Sequence, residues 1–412
     1  MADAVPELLF LAHRIPYPPN KGDKIRSWNI LRHLAERYRI HLGCFIDDPH
    51  DRQYEGRLRE ICDECHFATL GPTQAKLRGL AGLVNGEPLT LRCYRDPGLA
   101  AWVEGILAHR RPGRVFVFSS AMAQYVMSAR TEGVRRVIDF IDVDSDKWRQ
   151  YAAGRRWPMR WVYRREHRTL LAFDRRVAAA FDAATFVSAA EAALFRRLAP
   201  ESAGKIFPLN NGVDFAFFSP ARAYDDPFGG ARGVVVFTGA MDYWANVDAV
   251  EWFAREVLPA VQSRLPDTRF CIVGANPTPA VARLAGLKGV EITGRVADVR
   301  PYLAHAAAVV APLRIARGVQ NKVLEAMAMA KAVVATPQAL EGIDAAPGDD
   351  VLVAAETGAF ADAVSGLLEG GEGAAIGARA RARVTESYDW RANLVRLDEL
   401  LEGDPAVAEK EA

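Results

Sequence analysis

The sequence has 412 residues, half of them hydrophobic and a quarter charged, with 52 basic against 51 acidic side chains. That balance excludes a disordered, a collagen-like or a polytopic membrane chain, and the length predicts two or three domains. The charge is unevenly spread: residues 1–210 carry 33 basic and 24 acidic side chains, residues 211–412 carry 19 and 27, which makes a membrane surface or a polyanion a candidate partner of the first half.

Short apolar runs alternate with helical patterns. Leu8–Ala12 predicts a buried strand. Ser27–Arg37 follows as a helix, with Trp28, Ile30, Leu31, Leu34 and Ala35 at helical spacing. Ile40–Ile46, Val115–Phe118, Val134–Phe140, Ala184–Ser188 and Lys205–Leu209 predict further strands. A second series opens at Gly233–Gly239 and continues through Arg269–Gly274, Val290–Thr293, Ala308–Ala311, Ala332–Thr336 and Asp350–Val353. Strands alternating with helices predict α/β architecture with parallel sheets, and so many strands predict two Rossmann-like domains. The expected division is a first domain over 1–214, a linker over 215–233 rich in Pro, Gly and Asp, and a second domain over 234–386. Gly370–Ala375 reads as a flexible stretch, and Ala378–Glu386 and Trp390–Leu401 as helices.

The five cysteines make no disulfide scaffold. Cys62, Cys65 and His66 form a single C-x-x-C-H without a second pair, so no metal site is expected there. No run reaches the ~18 apolar residues of a membrane span. Leu8–Ala12 is too short for a signal sequence and no basic segment precedes it, so the expected compartment is the cytoplasm.

Three loops lie where open α/β sheets bind ligands, between strand ends and helix starts. After the first strand come Pro16, Pro18 and Pro19, then Gly22 flanked by Lys21, Lys24 and Arg26: prolines for stiffness, a glycine for close approach, cations for phosphate. This is neither G-x-G-x-x-G nor a Walker loop. Gly239 follows the first strand of the second series, with Met241 and Asn246 beyond it. Third is Arg317-Gly318-Val319-Gln320-Asn321-Lys322-Val323-Leu324-Glu325-Ala326-Met327-Ala328. Here Gly318 precedes a helix N-terminus whose amides can cradle phosphate, and Glu325 lies about two turns in, where a carboxylate can accept from ribose hydroxyls.

That third segment, G-x-x-x-K-x-L-E-A-M-A before an apolar strand, resembles the donor signature of family-4 glycosyltransferases. Phe186-Val187-Ser188 with Glu191, Asn211-Gly212-Val213-Asp214 with Phe218-Ser219-Pro220, Val290–Arg295 and Tyr388–Trp390 resemble other segments of the family. The likeness spans nearly the whole chain. It implies the GT-B fold, two Rossmann-like domains facing a cleft, with a terminal helix over 387–402 crossing back to the first. Pro16–Arg26, Gly239-Ala240-Met241-Asp242 and Asn246-Val247-Asp248 resemble a subgroup associated with exosortase/PEP-CTERM exopolysaccharide systems. The resemblance implies that Gly22 meets the donor diphosphate from one side and Gly318, Val319, Gln320 and Asn321 from the other, that Gly294 and Arg295 lie near the base, and that Glu325 binds ribose. The chain departs from the family where Arg317 replaces the first glutamate of the E-x7-E pair, and where Met241 and Asn246 fall near the usual Arg and Lys clamp. Lys322, Lys24 and Arg317 are the candidate substitutes.

The expected reaction moves a sugar from a nucleotide-diphosphate sugar to a glycan or lipid-linked acceptor, with retention and without a cofactor or metal. Helix amides and Lys322 would stabilise the leaving diphosphate. Asp142 and Asp144, with Asp139, are candidates for acceptor binding or base catalysis, or else for capping the next helix. Two other readings stay open: a nucleotide-sugar 2-epimerase, for which His13 is a candidate acid–base group, and a non-catalytic sugar-nucleotide-binding component of a polysaccharide complex. Residues 147–176 hold ten Lys or Arg against Glu166 and Asp174, interleaved with Trp148, Tyr151, Trp157, Trp161 and Tyr163. That pattern suits an anionic membrane surface, or else a solvated helical face whose tryptophans pack into the first domain; no nucleic-acid module is visible.

Overall fold

The computed structural model describes residues 5–71, 86–127, 131, 133–316 and 318–403. They fall into two compact units. One comprises the residues up to Asn210 together with those from Asn393 onward; the other is Asn211–Ala392.

The first unit is built on a seven-stranded sheet in the order β3-β2-β1-β4-β5-β6-β7. Its strands are β1 Glu7–Ala12, β2 Arg39–Ile46, β3 Glu64–Thr69, β4 Arg114–Phe118, β5 Arg135–Ile141, β6 Ala183–Phe186 and β7 Ile206–Pro208. Every pairing is parallel, with Leu9 opposite His41 on one side and Val115 on the other. Leu8 to Ala12 are fully buried, as a central parallel strand covered on both faces requires. The strand β3 carries no apolar run in sequence; Glu64, Cys65, His66 and Phe67 are only half-buried at this sheet edge, so periodicity gives no sign of it. Cys65 lies on it and Cys62 just before, their thiols hydrogen-bonded to each other, and all five cysteines are free.

The helix after β1 begins at Gly22, five residues before the expected Ser27, and ends at Ala35. Its first turn is charged rather than apolar, and Lys24 and Arg26 are nonetheless buried. Both find carboxylates: Lys24 lies 2.6 Å from Asp51 and Arg26 2.7 Å from Asp139. An ammonium or guanidinium survives burial only when so paired.

The second unit has a six-stranded parallel sheet in the order β10-β9-β8-β11-β12-β13, with β8 Val234–Thr238, β9 Arg269–Val273, β10 Val290–Gly294, β11 Ala308–Ala311, β12 Val333–Ala335 and β13 Leu352–Val353. Val235 and Val236 lie opposite Phe270 and Cys271 on one side and Ala308 and Val309 on the other. The helix after β8 extends past the expected Leu258. It runs from Trp244 to Gln262 through a π-helical segment, Phe253–Val257, just before Pro259. Proline lacks the N–H that an uninterrupted α-helix would use, and the wider turn accommodates it. Gly370–Ala375, read as a flexible stretch, is instead a junction of two helices: Thr357–Gly370 ends on Gly371 in the left-handed conformation, and Gly373–Ser387 starts two residues later.

The last described helix, Trp390–Glu402, leaves the second unit and from Asn393 belongs to the first. Asp398 pairs with His33 at 3.0 Å and Arg37 at 2.7 Å. Glu402 receives Tyr38 and Arg114, and Arg135 donates to the Leu400 carbonyl at 2.9 Å. Among the described residues no helix is long and apolar enough to cross a membrane.

Candidate donor site

Strand order reverses about β8 and β11 in the second sheet, and ligands of open α/β sheets bind beyond the carboxyl ends of the strands at such a point. The chain beyond β8 turns at Gly239. The Gly239 amide donates to the Val273 carbonyl at 3.0 Å and that of Met241 to Ala275 at 2.8 Å, which fixes the turn to the end of β9. A Cβ on Gly274 would lie 1.6 Å from the Gly239 carbonyl oxygen. Only glycine fits there.

Beyond β11, Gly318 adopts a left-handed conformation, φ 65°, and Gln320 is the extended residue that opens the helix Asn321–Ala328. The Gln320 side chain folds back to the Gly318 carbonyl at 3.1 Å, and the Asn321 side-chain oxygen accepts from Asn211 at 3.0 Å. The Val323 amide donates to the Gln320 carbonyl at 2.9 Å, and the start of the helix presents the positive end of its dipole.

The loop and the helix meet at one ammonium. Lys322 Nζ donates to Asn246 Oδ1 at 2.6 Å, and Asn246 Nδ2 donates to the Ala240 carbonyl at 2.9 Å. The same Nζ sits 4.3 Å from the centre of the Phe237 ring. A Cβ at Gly239 would lie 3.1 Å from Lys322 Nζ and 2.7 Å from Asn246 Nδ2, so glycine leaves room for both groups. Glu325 follows one turn along the helix. Burial pushes Lys322 down to about 7, against the pull of Glu325. Burial likewise pushes Glu325 up to about 7, with Lys322 opposing. The two side chains keep partial exposure, so a ligand can reach them.

This places Gly239, Asn246, Gly318, Val319, Gln320, Asn321, Lys322 and Glu325 of the sequence reading on two adjacent loops and one helix of a single unit. Met241, near an expected clamp position, is fully buried in the apolar core and offers no contact to a phosphate. Gly294 ends β10 with φ 68° in open space; Arg295 is exposed beside it. Arg317 lies outside the described residues. Gly274 and Phe237 were not singled out from sequence. A glycine closing a strand, as at Gly239, was the available signal for the first; Phe237 reads as one more core residue.

The candidates of the first unit are held in ion pairs. Gly22 opens its helix, and Asp23 beside it receives Arg14 at 2.6 Å and His13 at 3.2 Å. Burial would raise the Asp23 carboxyl, but the His13 hydrogen bond and the Arg14 charge hold it well below the usual range. His13 stacks on Phe118 and meets the edge of Tyr94. The Lys24 ammonium is inside the unit with Asp51, away from solvent. Asp139 is fully buried with Arg26; burial raises its carboxyl despite that guanidinium. Asp142 and Asp144 share Lys147 at 2.8 and 2.9 Å, and their attraction raises the Lys147 ammonium despite its burial. Neither aspartate is the cap of the helix Asp144–Ala153, which begins after Val143.

Residues 232–370 match the family model described as Glycosyl transferases group 1. No curated protein sequence matches the chain. Solved structures resemble it over nearly its whole length. HepE of Anabaena, in complex with UDP-glucose, superposes with a TM-score of 0.69 at 16% identity over 97% of this chain and 100% of that one. Sucrose-phosphate synthase of Thermosynechococcus elongatus gives 0.68 at 17% over 96% and 98%. A glycosyltransferase of Rickettsia africae gives 0.65 at 14% over 99% and 100%. The chain thus has the two-domain GT-B fold, and the unit that carries Lys322 and Glu325 is the one that matches the glycosyl transferases.

Proposed function

We propose that this protein is a glycosyltransferase of the hexosyl-transferring type, which moves a sugar from a nucleotide-diphosphate sugar to a glycan or lipid-linked acceptor in exopolysaccharide biosynthesis. The observation that carries the reading is the Lys322 ammonium, given room by Gly239 and fixed by Asn246 at 2.6 Å, one turn from Glu325 within the matched segment. When the bond from anomeric carbon to phosphate breaks, negative charge grows on the departing diphosphate. A fixed cation and helix amides stabilise that charge without reorganising. Glu325 would accept the ribose hydroxyls and set the register of the diphosphate over Lys322. The charge would be met by the chain's own groups in a metal-independent transfer, and retention of the anomeric configuration is what the resemblance to family 4 implies. Asp142 and Asp144 remain the candidates for handling the acceptor. The Pro16–Arg26 loop and the Asn246-Val247-Asp248 sequence support placing the chain in the exosortase/PEP-CTERM subgroup.

HepE's complex with UDP-glucose makes uridine the first base to try. Thermal shift against UDP-, GDP- and ADP-linked sugars, then mass spectrometry of products on lipid-linked acceptors, tests the reading. Stabilisation by one nucleotide class and a mass gain of one hexosyl unit are expected. A chain that no nucleotide stabilises would sink it.

The protein is also proposed to work at the inner face of an anionic membrane. Residues 153–161 are exposed without interruption. They include Trp157 at 82%, Met159 at 43% and Trp161 at 49% exposure, among Arg155, Arg156 and Arg160. Large apolar side chains so exposed within a basic surface suit headgroup depth. The expected result is sedimentation with vesicles containing anionic lipid, reversed by salt. Changing Arg155, Arg156, Arg160 and Arg164 to glutamine should remove it, since each nearby cation contributes about 1 kcal/mol. No sedimentation at low salt would exclude docking.

A further inference from the structure

The helix Met159–Ala180 brings one face, Trp161, Arg165, Arg168, Ala172 and Arg176, into register at helical spacing. Its three arginines and Arg95 line a groove of about 600 Å³. Its only carboxylate among the described residues is Glu87, already paired with Arg92 at 2.6 Å and Arg95 at 3.1 Å. Arg168 and Arg176 are exposed, and neither makes an ion pair among the described residues. The groove therefore keeps a positive excess.

Its walls are fixed. The Arg165 guanidinium is buried and donates to the Glu87 carbonyl through both terminal nitrogens at 3.2 Å. Glu166, fully buried, accepts from the Leu89 amide at 2.7 Å, the Thr90 amide at 2.9 Å and the Thr90 hydroxyl at 2.7 Å. Such a wall presents the Arg165 guanidinium without first having to order it, and guanidinium matches the planar, multiple acceptors of a phosphate. Leu91 and Phe173 add apolar surface to the lining. Toward its start the same helix face emerges at the exposed Trp161.

We propose that this groove binds the phosphate-bearing head of a lipid, with the hydrocarbon chain leaving along the Trp161 face toward the bilayer. The inference rests on the reading of the chain as a membrane-docked glycosyltransferase and names its acceptor class, a lipid phosphate or diphosphate. A purely electrostatic surface would hold any polyanion. The apolar lining next to the arginines is what selects an amphiphile.

The test titrates the full chain by calorimetry with dodecyl phosphate below its micellar concentration, with inorganic phosphate, and with dodecyl maltoside. Dodecyl phosphate should saturate one site at least about tenfold more tightly than inorganic phosphate, and the uncharged amphiphile should not saturate. Replacing Arg168 and Arg176 together by glutamine should weaken dodecyl phosphate binding at least about tenfold, as loss of charge-assisted hydrogen bonds does, and leave UDP affinity unchanged. Equal affinity for inorganic phosphate would show a free-anion site and overturn the lipid. Wild-type binding by the double variant, or no saturable binding, would overturn the groove. Failure of the enzyme reading shows separately, as absence of nucleotide binding by the unaltered chain.

Discussion

Lys322 is held by a carboxamide, an aromatic ring and a bare glycine rather than by a carboxylate. Its charge is therefore available to a ligand, at the expense of a proton held less firmly. For the proposed nucleotide-diphosphate donor, the titrations of Lys322 and Glu325 have opposite signs. Diphosphate needs the ammonium, which is lost as pH rises through about 7. Ribose needs the carboxylate, which is lost as pH falls through about 7. In Glu325→Gln only the lysine remains. Its midpoint should drop below that of the parent, and UDP affinity should fall as pH rises, by up to about tenfold per unit. In Lys322→Met affinity should be about 100-fold weaker at neutral pH and should rise with pH, with a midpoint above that of the parent. Calorimetry across the neutral range reads both; parallel slopes would refute the assignment. The stability sign follows from the same shifts. The folded-state carboxyl lies above its unfolded value, so ionised Glu325 disfavours the fold above that unfolded value, most fully above about 7. Glu325→Gln should accordingly melt no lower than the parent while losing UDP affinity. A lowered Tm would make Glu325 a structural residue.

At the scale of elements, what could be read from sequence follows how local the cause is. Gly318 to Glu325 stand within one loop and helix, so spacing alone puts them together. The contact of Gly274 with Gly239 joins the ends of two strands and depends on sheet order, which sequence does not display. The strand β3 leaves no sequence signal because an edge strand with one buried residue carries no hydrophobic period. The true start of the helix at Gly22 is hidden in the sequence because its first turn buries Lys24 and Arg26, and their buried partners, Asp51 and Asp139, are remote in sequence. The two strand-end loops of the second unit act as one piece, and Gly274→Ala tests this. With 1.6 Å between the new Cβ and the Gly239 oxygen, backbone must move. A loss of about 2–4 kcal/mol by urea denaturation is expected, with weaker UDP binding. A change under about 0.5 kcal/mol would mean that the loops move independently.

At the scale of the whole molecule, each unit has its own apolar core, but only the second is one continuous stretch of chain. The first requires the helix face of Leu394, Leu397, Leu400 and Leu401, each no more than 2% exposed. At roughly 1.5–3 kcal/mol per buried leucine, that face contributes about as much as the entire net stability of a typical domain. A fragment of residues 211–392 should therefore unfold cooperatively and bind UDP. A fragment of residues 1–210 should not fold unless residues 388–403 are added as a separate peptide. Cooperative unfolding of 1–210 alone would refute this.

The terminal helix also has a consequence for synthesis. A ribosome delivers the chain from its first residue, so the unit begun first is completed last. While residues 211–392 emerge and close on themselves, the surface that awaits Leu394 and its neighbours stays uncovered. That interval is when a nascent chain is most open to aggregation and most in need of a chaperone. A ribosome that stalls before residue 393 leaves a finished second unit tethered to an unfinished partner. The same dependence makes the last helix a checkpoint: only chains translated to its end can bury the surface by which quality control recognises an incomplete protein.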